Sequence, residues 1–175
     1  MKKTIRLIKC LLCLSIFAVL FTAFKDKASL TVDSPAFTPN GMIPAKYTCT
    51  GFNISPPLII TDIPSGTKTL AIIVHDPDAN QEGGVTHWVA WNLPLDGHIP
   101  ENFKDGQQGR NSDHGIGYKG MCPPSGTHHY NFYAYALDTE LSLDSNTDRS
   151  RLQQAMQGHI LAQGVLTGTY SKGQN

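Results

Sequence analysis

Apolar residues run through this chain in short bursts whose spacing predicts strands far more often than helices. Three segments stand out, residues 69–75 (TLAIIVH), 86–93 (THWVAWNL) and 129–137 (HYNFYAYAL), each apolar and rich in β-branched or aromatic side chains, and all three read as central strands. Shorter stretches at 30–33, 58–61 and 163–170 predict further strands. Between them lie turn-forming sequences, Asn40-Gly41, Ser55-Pro56-Pro57 and Pro64-Ser65-Gly66. One segment follows a different period. Leu152, Ala155, Met156 and Ile160 recur at helical spacing, which predicts a helix over 149–160, capped by Thr147 or Asp148, with its apolar stripe on the core. No repeat, heptad pattern or linker divides the chain. The pattern predicts one mainly-β domain over residues 28–175, an antiparallel Greek-key β-sandwich with one late helix and few short helices.

Composition changes this picture mainly at the N-terminus. The first 24 residues carry Lys2, Lys3, Arg6 and Lys9 and no acid, and residues 10–24 form an apolar run too short for the roughly 20 residues a spanning helix needs. This predicts an export signal. With Phe21 two residues before Ala23 the small-x-small cleavage pattern is poor, so retention as an inner-membrane anchor is the second reading. Membrane contact is expected through this segment alone. The formal charge of the whole chain is zero, but beyond residue 24 ten basic side chains face 14 acidic ones, about −4 net. Those ten are scattered rather than clustered, which argues against a nucleic-acid partner. Export leaves Cys49 and Cys122 in an oxidising compartment, where two cysteines suggest one disulfide; two free buried thiols are the alternative.

Candidate chemistry gathers at predicted strand ends. His75-Asp76-Pro77-Asp78 closes one strand, and by itself reads as an ordinary Asp-Pro turn. Thr86-His87-Trp88 opens the next, and strict alternation places His87 on one face with Val89, Trp91 and Leu93. A loop dense in Gly and Pro, residues 117–126, feeds into Thr127-His128-His129-Tyr130, where alternation puts His128, Tyr130 and Phe132 on one face and His129, Asn131 and Tyr133 on the other. Glycines let backbone approach a ligand closely, and the prolines stiffen the loop without adding donors.

These segments carry a resemblance. The strings Asp76-Pro77-Asp78-Ala79, His87-Trp88-Val89-Ala90-Trp91-Asn92-Leu93-Pro94, Gly117-Tyr118-x-Gly120-x-Cys122-Pro123-Pro124-x-Gly126 and His128-His129-Tyr130-x-Phe132-x-x-Tyr135-Ala136-Leu137-Asp138 resemble the phosphatidylethanolamine-binding protein family, in its bacterial Raf-kinase-inhibitor-like branch. Asn53-x-Ser55-Pro56-Pro57-Leu58 and Val32-x-Ser34-x-x-Phe37 extend the likeness over nearly all of the chain beyond the N-terminal segment. The resemblance implies a small antiparallel sandwich with a surface pocket for phosphate or the phosphoryl head group of a lipid or nucleotide. Its pocket residues fall on Asp76, His87, His128 and Tyr130, with Cys122, Pro123 and Pro124 as the rim. Relatives known as inhibitors of kinases or peptidases make a protein target a further expectation. Asn80 and Met121 depart from the family pattern, and the rim is expected to differ there.

In such a pocket the donors are imidazole N–H, phenol O–H and the backbone N–H groups of Gly120 to Cys122. Asp76 fits as the partner of an imidazole, fixing its tautomer and favouring its protonated form, which predicts tighter anion binding near pH 6 than near pH 8. No cofactor or metal is expected. Two histidines with one carboxylate also fit a metal triad, and Cys122 near His128 also fits a thiol nucleophile, so a metal-dependent or thiol hydrolase is the alternative function.

Overall fold

Strand β4 (Thr69–Asp76) is apolar almost without interruption because both of its faces are covered. In the computed structural model, which describes residues 28–173, it lies between β5 (Val85–Leu93) and β8 (Thr127–Leu137), antiparallel to both. The export segment expected at residues 1–24 falls outside the described residues. Beyond β8 runs β9 (Ile160–Ser171), paired with β8 from Thr127↔Ser171 to Leu137↔Ile160. The short strands β1 (Ala28–Ser29) and β7 (Gln107–Gln108) form the two edges, giving the order β1-β9-β8-β4-β5-β7. A second sheet sets β3 (Leu58–Thr61) between β2 (Thr31–Asp33) and β6 (His98–Ile99).

The main core fills the space between the sheets. Val32, Leu58, Ile60 and Ile99 of the small sheet meet Leu70, Ile72, Val74, Trp88 and Phe132 of the large one. The other face of the large sheet offers Ala71, Ile73, Val89, Trp91 and Leu137, which pack with Leu141, with Leu152 from the only α-helix among the described residues, α1 (Arg149–Ala155), and with Met156 at its C-cap. The expected mainly-β sandwich with a late helix is therefore present. One pair is parallel rather than antiparallel, since β1 runs alongside β9 in the same direction.

Three local features differ from the sequence expectation, each for a visible reason. The strand expected at 30–33 is broken, because Leu30, whose N–H bonds Gln163 O at 3.0 Å, is where the chain leaves the large sheet for the small one. Gly164 makes that passage possible, as a Cβ there would sit 2.2 Å from Leu30 O. The helix stops five residues short of its expected end. Gly158 adopts φ +82, the chain reverses, and Ile160 is already the first residue of β9. Asp148, rather than Thr147, is the cap and accepts from Arg151 N at 2.9 Å.

The third difference bears on function. Pairing along β4 and β5 steps from Val74↔Trp88 to His75↔Thr86, so two residues of β5 oppose one of β4 and His87 is the extra one. A second irregularity lies between Leu70↔Leu93 and Ile72↔Ala90, where Asn92 takes φ 54. Strict alternation fails at both points. Leu93 joins Trp88 and Ala90 in the inter-sheet core, away from Val89 and Trp91.

Candidate functional site

Asp76 ends β4, while His87 and His128 stand near the starts of β5 and β8, so antiparallel pairing brings all three to one end of the large sheet. The bulge decides where His87 points. Instead of joining Val89 and Trp91, its ring meets Tyr130 of β8 edge-on, with centroids 5.3 Å apart. His128 stacks over the same phenol at 6.4 Å. Asp76, His87 and His128, with Cys122, Pro123 and Pro124 of the 117–126 loop, enclose a pocket of about 100 Å³, which Lys119, Val85 and Ala79 complete.

The polar groups are largely committed to one another. Asp76, only 3% exposed, accepts from Asp78 N at 2.9 Å and Ala79 N at 3.1 Å through Oδ1, and its Oδ2 lies 2.8 Å from His128 Nδ1. The carboxylate thus closes its own Asp-Pro turn and orients an imidazole; charge-assisted bonds of this kind offset its desolvation. Asp78 repeats the tie one residue along β8. Its Oδ2 accepts from His129 N at 2.8 Å and meets His129 Nδ1 at 2.7 Å, and these bonds hold the Asp78 carboxyl below the ordinary range.

His87 is also 3% exposed, and its Nδ1 lies 2.9 Å from Lys119 O. A carbonyl oxygen can only accept, so Nδ1 carries the hydrogen and Nε2 keeps a lone pair. Burial pushes the His87 pKa down to about 4, so the ring is neutral at physiological pH. Its Nε2 is buried without a hydrogen-bond partner, as is the Tyr130 hydroxyl. Burial, followed by the charge of nearby Asp76, drives the Tyr130 phenol far above its usual range, yet no hydrogen bond of ordinary geometry joins the two. An unpaired buried polar group costs about 1–3 kcal/mol. Two of them lie at one spot.

The rim loop is held from behind. Cys122 is disulfide-bonded to Cys49, with Cα atoms 5.4 Å apart; Cys49 N donates to Met121 O at 3.1 Å, and the Tyr118 hydroxyl donates to Tyr47 O at 2.7 Å. The Gly120 N–H donates to Asn53 Oδ1. This corrects one expectation: Gly120 offers the pocket no donor, because its N–H is used and its missing Cβ makes room for the backbone of Thr48 and Cys49. Tyr130 is wholly buried beneath the two imidazoles. Met121 turns into the inter-sheet core instead of shaping the rim.

The family model of the phosphatidylethanolamine-binding protein matches residues 33–171. The chain belongs to the phosphatidylethanolamine-binding protein family. Among its relatives is a UPF0098 protein of Pyrococcus horikoshii, 47% identical over 159 residues, which cover 85% of this chain and 79% of that one. The crystal structure of the homologue CT736 from Chlamydia trachomatis matches with a TM-score of 0.79 at 41% identity, over 83% of this chain and 99% of that one. Escherichia coli YbcL, described as a member of the mammalian family, matches with a TM-score of 0.76 at 30% identity, over 82% and 99%.

Within this family member, three supporting residues escaped the sequence reading. Lys119 orients His87 through its carbonyl, Asn53 holds Gly120, and Asp78 clamps His129. Backbone partners leave no trace in residue type. The second carboxylate of the Asp-Pro-Asp string was the one available signal. A larger cleft of about 480 Å³ was missed altogether; it is lined by residues 81–84, by Arg110 and His114, and by Asn146 and Arg149. For the alternative chemistry, Cys122 is bonded to Cys49 and has no thiolate to offer, and no three His, Cys, Asp or Glu among the described residues are grouped to hold a metal ion.

Proposed function

We propose that this chain is an exported binding protein whose pocket at Asp76, His87 and His128 holds phosphate or the phosphoryl head group of a larger ligand, a phospholipid among them, and that it acts by binding or modulating a partner rather than by catalysis. The observation that carries the reading is the small polar pocket over two unpartnered polar atoms, with His128 oriented by Asp76 to present its Nε2. A pocket of about 100 Å³ suits a head group and leaves a lipid's chains or a nucleotide's base outside. The family name points the same way. For export, the support is the basic and apolar N-terminal sequence together with the Cys49–Cys122 bond, a chemistry of oxidising compartments.

The test is native mass spectrometry of the full chain with inorganic phosphate and short-chain phosphatidylethanolamine, comparing wild type with His128→Ala and Asp76→Asn. Both variants are expected to lose at least tenfold in affinity for either ligand, and wild-type binding is expected to tighten from pH 8 to pH 6. Undiminished binding in both variants refutes the pocket assignment.

A further inference from the structure

The larger cleft, about 480 Å³, shares no lining residue with the pocket at Asp76, His87 and His128. Three segments distant in sequence form its walls. They are residues 81–84 between β4 and β5, residues 110–114 beyond β7, and residues 146–150 at the start of α1. Two guanidiniums meet there. Arg110 Nη2 donates to Asn146 Oδ1 at 2.7 Å in a solvent-exposed bond, while its buried Nε is out of a ligand's reach. Arg149 Nη1 lies 2.7 Å from the ring nitrogens of His75, whose pKa is held below the ordinary value by burial and then by the charge of Arg149. An amide and a neutral imidazole offset neither positive charge. Among the described residues Arg151 reaches Asp144 at 3.9 Å, but neither Arg110 nor Arg149 has an ion pair. Each therefore keeps a planar fork of donors of the shape that suits a carboxylate. Glu82 and Asp148 line the same cleft, so two negative charges accompany the two positive ones. A free dianion meets those acids as like charges and offers them no hydrogen. A peptide bearing one carboxylate suits both sets, its acid facing the arginines and its amide N–H groups facing Glu82 and Asp148. The volume lies within the roughly 300–1,000 Å³ of ordinary ligand sites.

We propose that this cleft is a second binding site, which holds a peptide segment of a protein partner by a carboxylate, from an acidic side chain or a chain end, set against Arg110 and Arg149. The inference goes beyond the phosphate reading and does not depend on it. It gives the modulating role a surface of its own. Asn146 positions Arg110 and His75 positions Arg149, so both guanidiniums are oriented before the ligand arrives.

The experiment is a backbone amide shift map of the full chain at pH 7, titrated in turn with four probes. Acetyl-Gly-Glu-Gly-amide carries a side-chain acid, acetyl-Gly-Gly-Gly with a free C-terminus carries a chain-end acid, acetyl-Gly-Gln-Gly-amide carries neither, and inorganic phosphate is the fourth. At least one of the two acidic peptides is expected to bind at least fivefold more tightly than the glutamine peptide, with shifts centred on residues 81–86, 110–114 and 146–150; the tighter of the two names the source of the carboxylate. Arg110→Gln and Arg149→Gln are each expected to weaken that peptide at least fivefold. Arg151→Gln, whose side chain pairs with Asp144 outside the cleft, is expected to leave its affinity within twofold. If Arg149→Gln fails to fold without its contact to His75, Arg110→Gln decides, since it gives up a solvent-exposed bond. The inference is overturned if the glutamine peptide binds within twofold of both acidic ones, or if neither acidic peptide moves the cleft. Phosphate moving the cleft at lower concentration than either acidic peptide overturns the choice of ligand. None of these results touches the phosphate pocket, whose own residues report on it in the phosphate titration.

Discussion

His87 is held neutral inside the fold while the same side chain in an unfolded chain takes up a proton near its ordinary value of 6.5. Between that value and about 4 the unfolded state binds one proton more than the folded state, so stability falls as pH drops through this window. The shift corresponds to about 3 kcal/mol at its full extent. Urea unfolding at pH 7, 5.5 and 4 is expected to show that loss in wild type and a shallower one in His87→Asn. Parallel curves for the two proteins contradict the buried-neutral assignment. At Gly120 the expectation is steric. Gly120→Ala puts a Cβ 2.7 Å from the carbonyl carbon of Thr48 and is expected to destabilise by about 1–3 kcal/mol, read as a lower urea midpoint. At this scale the sequence named Asp76, His87 and His128 because their types are unusual at strand ends. It did not show that the Gly120 N–H is spent on Asn53 or that Tyr130 is buried, because a glycine that admits a ligand and one that admits another backbone look alike, as do a phenol at a surface and one beneath it.

Strand β5 shows why elements were legible in extent but not in facing. Its apolar and aromatic composition marks a central strand, yet two irregularities within nine residues shift the side chains, and a period-two rule has no means to locate them. Only pairing with β4 reveals that His87 is the extra residue. The helix shows the opposite balance. Asp148 was readable as a cap because capping is local, whereas the end of α1 is set by the demand of β9 for Ile160 opposite Leu137. Asp148→Ala is expected to cost about 1 kcal/mol, since it frees the Arg151 N–H, and thermal unfolding followed by circular dichroism reads it. An unchanged midpoint would show that packing of Leu152 and Met156 holds the helix without its cap.

Across the whole molecule, the two sheets and the rim loop are joined by contacts far apart in sequence, and this is the level at which the sequence was least explicit. That β1 and β2 belong to different sheets depends on Gln163 and Gly164, more than 130 residues later. The bond between Cys49 and Cys122 was legible because only two cysteines remain beyond the N-terminal segment; it fixes the pocket rim to the 48–50 segment. Chain entropy for a loop of this length predicts about 4 kcal/mol of stabilisation. Unfolding with and without reductant is expected to show a loss of that order, together with weaker phosphate binding as the rim loosens. The central claim is that this rim and the Asp76–His128 pair make one phosphate pocket, while the larger cleft holding Arg110 and Arg149 is its obvious competitor. The most direct measurement is a backbone amide shift map of the full chain during titration with phosphate. Perturbations centred on residues 76–79, 87 and 119–128, saturating together, are the predicted result; perturbations centred on residues 110–114 and 146–150, with the first group unmoved, would contradict it.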